Sequence, residues 1–442
     1  MPRLFGTDGI RGIANQDLTP DLALALGRAA GMVLAPDGGE VIIGRDTRVS
    51  GPMLEGALVA GLCSAGVAVR TAGIVPSPAV AFLTVDERAR AGAVISASHN
   101  PAPDNGIKFF SHLGIKIPEG AEEAIEEFMS APPPKLPSGS AVGGSEPLPG
   151  APDRYVDHLL ASLEQSLSGL RVVVDCAFGA AWHVGPRAFR EAGADVIAMN
   201  AEPDGTRINA KSGSTDLSSL AERVRSEGAD LGIAFDGDAD RALAVDENGA
   251  VVDGDRIIAM IALHMNEAGT LDRSIVIATV MANMGFHRAL SAKGIEVISC
   301  PVGDKYVGEA MRDHGAALGG EQSGHVIFGH HSTTGDGVLT GLKVAELVRN
   351  SNKPLSSMAE IFETYPQVLI NVPVGRGKDL DGAAALWERV AEIESTLGDS
   401  GRVLLRASGT EPLVRVMVEA SEKRVAQTTA EDLARAVERE LA

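Results

Sequence analysis

The chain has 442 residues, enough for about three or four domains of roughly 100–150 residues each. Its formal net charge of -20 excludes a broad basic surface for nonspecific nucleic-acid binding, so an anionic ligand needs a local basic cluster. Hydrophobic residues make up 45% and aromatic residues only 4%, which leaves Ala, Val, Ile and Leu to build the cores.

The opening Met1–Gly6 carries no apolar leader, and the early apolar run Leu22–Leu34 is broken by Arg28 and too short to span a bilayer. The expectation is a cytoplasmic protein with no membrane partner. Cys63, Cys176 and Cys300 are isolated, odd in number and free of CxxC spacing, which argues against a disulfide framework or a zinc site.

One pattern then occurs three times: an apolar run, a loop, an amphipathic helix, a glycine stop and a second apolar run. The first copy is Glu40–Gly44, a helix from about Pro52, and Ala65–Val69. The second is Leu170–Val174, a helix from about His183, and Ala192–Val196. The third is Ser274–Ala278, a helix from about Met284, and Lys293–Val297. Short β-branched runs alternating with helices predict βαβ units, and Gly66, Gly193 and Gly294 sit where a helix end needs a left-handed residue. Ala131–Pro152, rich in Pro, Gly and Ser, reads as a linker. The tail differs: strands are predicted at Val368–Val374, Arg402–Ala407 and Leu413–Ala420, and helices at Gly382–Leu397 and Val425–Leu441. The expected fold is α/β, with three tandem α/β domains of similar plan (1–150, 151–252 and 253–366) and a smaller C-terminal α+β domain (367–442).

Four loops can carry chemistry. Ser96–Pro101 follows the apolar run Ala93–Ile95 and places a serine where a nucleophile or phosphate carrier is well exposed to a ligand; His99 is adjacent, which alone does not make it a base. Asp236, Asp238 and Asp240 alternate in a loop between two predicted strands, and such carboxylates repel unless they share a hard divalent cation. An EF-hand is excluded because Arg241 takes the position that needs Gly, although Glu247 falls at position twelve. Glu321, Gln322 and Ser323, between glycines, offer acceptors and donors for sugar hydroxyls. Arg406, Ser408, Gly409 and Thr410, with Arg415 beyond, suit an anion nest. No GxxxxGK[ST] or GxGxxG nucleotide loop occurs.

In this order the loops resemble those of the α-D-phosphohexomutase family, over essentially the whole chain, beginning with Phe5–Gly12. The resemblance implies a phosphoserine at Ser98, one Mg2+ per chain on Asp236, Asp238, Asp240 and the Ser98 phosphate, sugar contacts at Glu321 and Ser323, and a distal phosphate loop at Arg406–Pro412. It also implies four domains around a central cleft, a homodimer, and a hexosamine or hexose 1,6-bisphosphate as activator. Gln322 resembles the subgroup acting on glucosamine phosphates; phosphomannomutase/phosphoglucomutase members usually have Met there, and that activity is the alternative. Lys305 departs from the Arg often found at its position and loses the guanidinium fork.

The implied reaction interconverts glucosamine 6-phosphate and glucosamine 1-phosphate, with the phosphate of Ser98 passing to the sugar and the bisphosphorylated sugar turning before it returns the other. Arg11, Lys108 and Arg241 add positive charge, and either Lys108 or His325 handles the proton. Two other classes compete: a magnesium-dependent sugar phosphatase, disfavoured by the sugar and distal phosphate loops, and a noncatalytic binding protein, disfavoured by Ser98 with all three aspartates.

Overall fold

The computed structural model describes residues 3–6, 8–132, 135–375, 380–407 and 413–441. Each predicted βαβ unit forms, and in each the two strands pair in parallel: Glu40–Arg45 with Ala68–Ile74, Arg171–Asp175 with Asp195–Met199, and Ile275–Thr279 with Glu296–Cys300. The intervening helices are Gly51–Ser64, Val184–Glu191 and Met284–Ser291. Gly66, Gly193 and Gly294 have φ of 86°, 106° and 73°, the left-handed region that turns each chain back into its sheet. The fold is thus α/β in three sheets, with a smaller antiparallel fourth.

The first sheet has six strands in the order Ile10–Ile13, Asp104–Ser111, Ala91–Ile95, Glu40–Arg45, Ala68–Ile74 and Ser145–Pro147. Ala91–Ile95 is buried throughout, as a strand covered on both faces must be. Ser145–Pro147 corrects the linker expectation: it pairs in parallel with Ala68–Ile74 and edges the sheet. Its composition misleads because Pro and Gly also suit an edge. Gly143 donates to the Cys63 carbonyl at 2.9 Å, and a Cβ on Gly143 would lie 1.9 Å from the Val67 carbonyl oxygen.

In the second sheet, Leu231–Phe235 and Ala242–Asp246 pair antiparallel, so residues 236–241 form the hairpin loop. In the third, the short strands Leu318–Gly320 and Val326–Phe328 form a hairpin whose loop is residues 321–325. Contacts divide the chain into two bodies: residues 1–281 with 293–361, and residues 282–292 with 362–442. The second body holds the strands Gln367–Pro373, Leu413–Ala420 and Gly401–Ala407, the last two pairing in full register. The helix Met284–Ser291 belongs to it because Phe286 meets Phe362 edge-on and Glu419 accepts the Met284 N–H at 2.8 Å.

The helices Pro20–Leu34 and Gly51–Ser64 touch at backbone level in the first body. A Cβ on Gly27 would lie 2.4 Å from the Leu58 carbonyl oxygen, and one on Gly61 2.3 Å from that of Leu24. Gly61→Ala is therefore expected to destabilise the protein by about 1–3 kcal/mol. An unchanged midpoint in urea denaturation would contradict this close crossing.

Candidate active site

The serine loop begins where Ala91–Ile95 ends. Ser98 is buried and has φ +48°, a conformation that costs a non-glycine residue free energy and needs outside support. Its N–H donates to Ser96 Oγ at 2.9 Å, and Ser96 in turn donates to Asp46 Oδ2 at 2.5 Å. Ser98 Oγ donates to Asp236 Oδ2 at 2.6 Å and lies 3.2 Å from His99 Nδ1. Burial, with Arg241 and Arg11 nearby, holds the His99 ring below the usual histidine range.

Asp236, Asp238 and Asp240 are buried together in the hairpin loop, with one oxygen of each within 4.8 Å of the others. Ala239, at φ +55°, donates its N–H to the Asp236 carbonyl at 3.0 Å, the turn that brings alternate side chains together. Gly237 lets this loop meet the serine loop, since a Cβ there would lie 2.5 Å from the Ser98 carbonyl oxygen. Burial, reinforced by Asp240 and Asp238, pushes the Asp236 carboxyl well above the carboxylate range. Asp240 moves the opposite way: Lys108, His325 and Arg241 outweigh its burial.

The cations come from several elements. Lys108, on the strand Asp104–Ser111, places Nζ 2.8 Å from Asp238, 3.6 Å from Asp240 and 4.0 Å from Asp8. Burial disfavours its ammonium, but those three carboxylates prevail and hold its pKa well above the lysine value. Arg11 pairs with Asp8 and donates to Asn100 Oδ1 at 3.2 Å. Lys116 joins Asp8 to Asp304, the latter at 2.6 Å. Arg241 Nε lies 3.8 Å from Asp240 Oδ1.

His325 is buried, with Nδ1 3.6 Å from Asp240 Oδ2. Its Nε2 accepts the Gly335 N–H at 3.0 Å, so the ring proton sits on Nδ1, facing the carboxylate. In the 321–325 loop, Glu321 Oε1 accepts the Gly303 N–H at 3.2 Å and Oε2 accepts from Ser323 Oγ at 3.4 Å. The first of these bonds ties in the turn that carries Lys305, whose own N–H donates to Asp304 Oδ1 at 2.8 Å. Gln322 departs from its neighbours: its amide donates to Asp255 Oδ2 at 3.3 Å, a buried carboxylate on the helix Gly254–Ala268.

In the second body, Arg406 and Arg415 stand directly opposite in paired strands. Like charges so placed destabilise a strand pair and favour an anion beside them. Ser408, Gly409 and Thr410 lie outside the described residues.

The first body thus brings together Ser98, the three aspartates, Lys108, Arg11 and His325, and links Glu321, Ser323 and Lys305 through Gly303. Sequence reasoning missed Asp46, Arg48 and Lys116, and gave Asp8 no role of its own within the loop Phe5–Gly12. The available signal for two of them was position: Asp46 and Arg48 follow directly on the strand Glu40–Arg45, at the carboxyl end where open α/β sheets place their ligands.

A cation fits the aspartate cluster. Asp238 Oδ1 and Asp240 Oδ1 are buried without a hydrogen-bond partner, and hard oxygen donors suit a hard divalent ion. A second group, Asp240, Asp304 and His325, shares one of the same ligands.

Family models for the phosphoglucomutase/phosphomannomutase α/β/α domains I, II and III match residues 2–133, 153–249 and 253–365, and the model for the C-terminal domain matches 369–436. The chain belongs to the phosphoglucomutase/phosphomannomutase family. This phosphohexomutase is 51% identical over 439 residues to a phosphoglucosamine mutase of Rhodococcus opacus, covering 98% of this chain and 99% of that one. It is 52% identical over 449 residues to another from Nocardioides, covering 100% of both. Among solved structures, a phosphoglucomutase/phosphomannomutase family protein from Burkholderia thailandensis superposes with a TM-score of 0.84 at 25% identity, over 99% of this chain and 97% of that one. An Aspergillus fumigatus N-acetylphosphoglucosamine mutase, solved with GlcNAc-6P and magnesium, shares the fold at a TM-score of 0.70 and 19% identity, covering 99% of this chain and 96% of that one.

A divalent cation bound at this phosphohexomutase's aspartates would relieve their repulsion and so stabilise the fold. A divalent ion at about 100 times its Kd is expected to add about 2.7 kcal/mol, read as a rise in Tm that EDTA reverses. The rise should vanish in Asp238→Asn; an equal rise in that variant would move the cation elsewhere.

Proposed function

We propose that the protein interconverts glucosamine 6-phosphate and glucosamine 1-phosphate, through phosphoserine at Ser98 and a sugar 1,6-bisphosphate. The observation that carries this reading is the buried Ser98 Oγ, 2.6 Å from the first of three clustered aspartates and backed by the Lys108 ammonium. Near-full-length identity of about half to phosphoglucosamine mutases supports the choice of sugar.

Phosphoryl transfer asks for positioning and charge neutralisation more than for covalent chemistry. The phosphoserine Oγ–P bond breaks as a sugar hydroxyl bonds to phosphorus; the hydroxyl gives up its proton and the freed Ser98 Oγ takes one up, and the second half of the cycle reverses this with the other phosphate. A bound Mg2+, held by Asp236, Asp238, Asp240 and the phosphoserine, supplies charge neutralisation for the transferring group. Lys108 and Arg11 add fixed positive charge beside it. Of the two residues weighed for proton transfer, Lys108 has its ammonium favoured by Asp238, Asp8 and Asp240, which suits it to give a proton rather than take one. His325 spends Nε2 on Gly335 and orients Asp240. His99, neutral and beside Ser98 Oγ, suits the serine's own proton.

Glu321 and Ser323 suit sugar hydroxyls, with Lys305 close by. Gln322 acts on sugar choice through Asp255. Arg406 and Arg415, with Ser408, Gly409 and Thr410, bind the non-reacting phosphate and spend remote binding energy on orientation. The reading includes a hexosamine or hexose 1,6-bisphosphate activator and a cytoplasmic homodimer. Among the described residues no helix is long and apolar enough to cross a membrane.

Turnover with Mg2+ and a trace of hexose 1,6-bisphosphate should be strongest on glucosamine 6-phosphate. Preference for glucose or mannose phosphates would keep the chemistry and change the sugar; release of free phosphate alone would overturn the mutase. Ser98→Ala should abolish turnover while sugar-phosphate binding survives in calorimetry. Arg406→Ala should raise KM about tenfold or more, the loss of one charge-assisted contact.

A further inference from the structure

Ser98 and Asn100 flank His99, and each presents a carbonyl oxygen to the same two side chains. Arg48 Nη2 donates to the Ser98 carbonyl at 3.0 Å and to that of Asn100 at 2.8 Å. Asn209 Nδ2 donates to them at 2.8 Å and 3.1 Å. Each oxygen therefore receives one donor from the first sheet's domain and one from the second's. We propose that Arg48 and Asn209 are positioning residues for phosphoryl transfer, a two-armed clamp that fixes the backbone of the serine loop and so the aim of the Ser98 oxygen. This rests on the phosphoserine reading above.

Arg48 is fully buried, an arginine with no exposed surface. Its Nε bonds Asp46 Oδ2 at 2.9 Å, and its Nη1 bonds the Asp104 carbonyl at 2.8 Å and the Pro101 carbonyl. A planar fork with five N–H groups can serve four carbonyls and a carboxylate at once; an ammonium cannot. Asp46 offsets its charge and also accepts from Ser96, which receives the Ser98 N–H. Both sides of the Ser98 residue are thus tied to one ion pair.

Asn209 arrives from elsewhere. It sits at φ +60° in the segment after the strand Asp195–Met199, fixed by its N–H to the Ala177 carbonyl at 3.0 Å. Only the amide nitrogen can face two carbonyl oxygens, which settles its orientation, and its Oδ1 has no hydrogen-bond partner. A Cβ on Gly237 would lie 2.9 Å from Asn209 Nδ2 as well as against the Ser98 carbonyl, so the aspartate loop closes the third side.

The clamp does not change the charge at the reacting atoms, since one arm is a neutral amide and the other a neutralised pair. Its effect is geometric. It maintains Ser98 at φ +48°, with Oγ on Asp236. A donor supplied by the second domain also makes the serine loop's order depend on that domain's docking.

The test is Asn209→Ala in the full-length protein. Expected are a fall in kcat of about 10–100-fold, since a displacement near 1 Å costs about that much, and a KM for sugar phosphate within about threefold of wild type. Amide exchange of peptide 97–101 should rise at least about tenfold while the rest of the chain and the Tm stay near wild type. Asn209→Asp, which turns an acceptor toward two carbonyls, should lose more than Asn209→Ala. If Asn209→Ala fails to fold, Arg48→Lys serves, with the same split between kcat and KM. A variant with kcat within about twofold of wild type and unchanged exchange at 97–101 overturns the clamp. Wild-type protein inactive on every hexosamine and hexose phosphate would overturn the function, while the exchange measurement would still decide the clamp.

Discussion

The loops of the first body are arranged around three buried carboxylates. Ionised groups so close repel strongly in a low dielectric, and the fold must supply positive charge or protons to keep them there. It supplies Lys108 directly, Arg241 alongside and a cation site in the remaining oxygens. Lys108 in turn touches Asp8, which is paired with Arg11 and Lys116, and Lys116 ends on Asp304. The result is an alternating ladder of charge from the aspartate loop to the start of the helix Asp304–His314. Each rung is tolerable only because its neighbours are present, so the loss of one should be felt along the whole ladder.

The same constraint explains why small residues and odd backbone angles gather here. Gly237 and Gly324 admit carbonyl oxygens at distances no side chain would allow, and Ser98 and Ala239 adopt left-handed backbone without being glycine. Backbone from the loops of the three sheets meets here at close range. Backbone hydrogen bonds tie these loops: the Gly324 carbonyl receives the Ala242 N–H at 3.0 Å, that of Ala239 the Gly337 N–H at 3.0 Å and that of Gln322 the Gly254 N–H at 3.0 Å.

Much of this was legible in the sequence, for a physical reason. A βαβ unit leaves a local record of β-branched run, helix and glycine stop, and all three formed in parallel register. The alternation of Asp236, Asp238 and Asp240 announced a cation because close carboxylates demand one. What was not legible depends on distant pairing. Asn209 and Asp46 look like ordinary loop residues until the fold brings them to one serine. Lys116 gives no hint that it lies between Asp8 and Asp304. Ser145–Pro147 was hidden by a composition that fits a linker and an edge strand equally. Gln322 read as a sugar contact with Glu321 and Ser323, and nothing in the sequence pointed to the hydrogen bond its amide makes to Asp255.

The helix Met284–Ser291 lies in sequence between two parallel strands of the third sheet, yet belongs to the second body. The chain therefore passes between the two bodies three times, near residues 281, 292 and 361. Residues 362–442 alone lack Phe286 against Phe362 and leave the buried Glu419 without the Met284 N–H. A protease cut in the stretch just before residue 362 would leave the tail with no covalent link to the rest, held only by non-covalent contacts with the helix Met284–Ser291, which stays tethered at both of its ends.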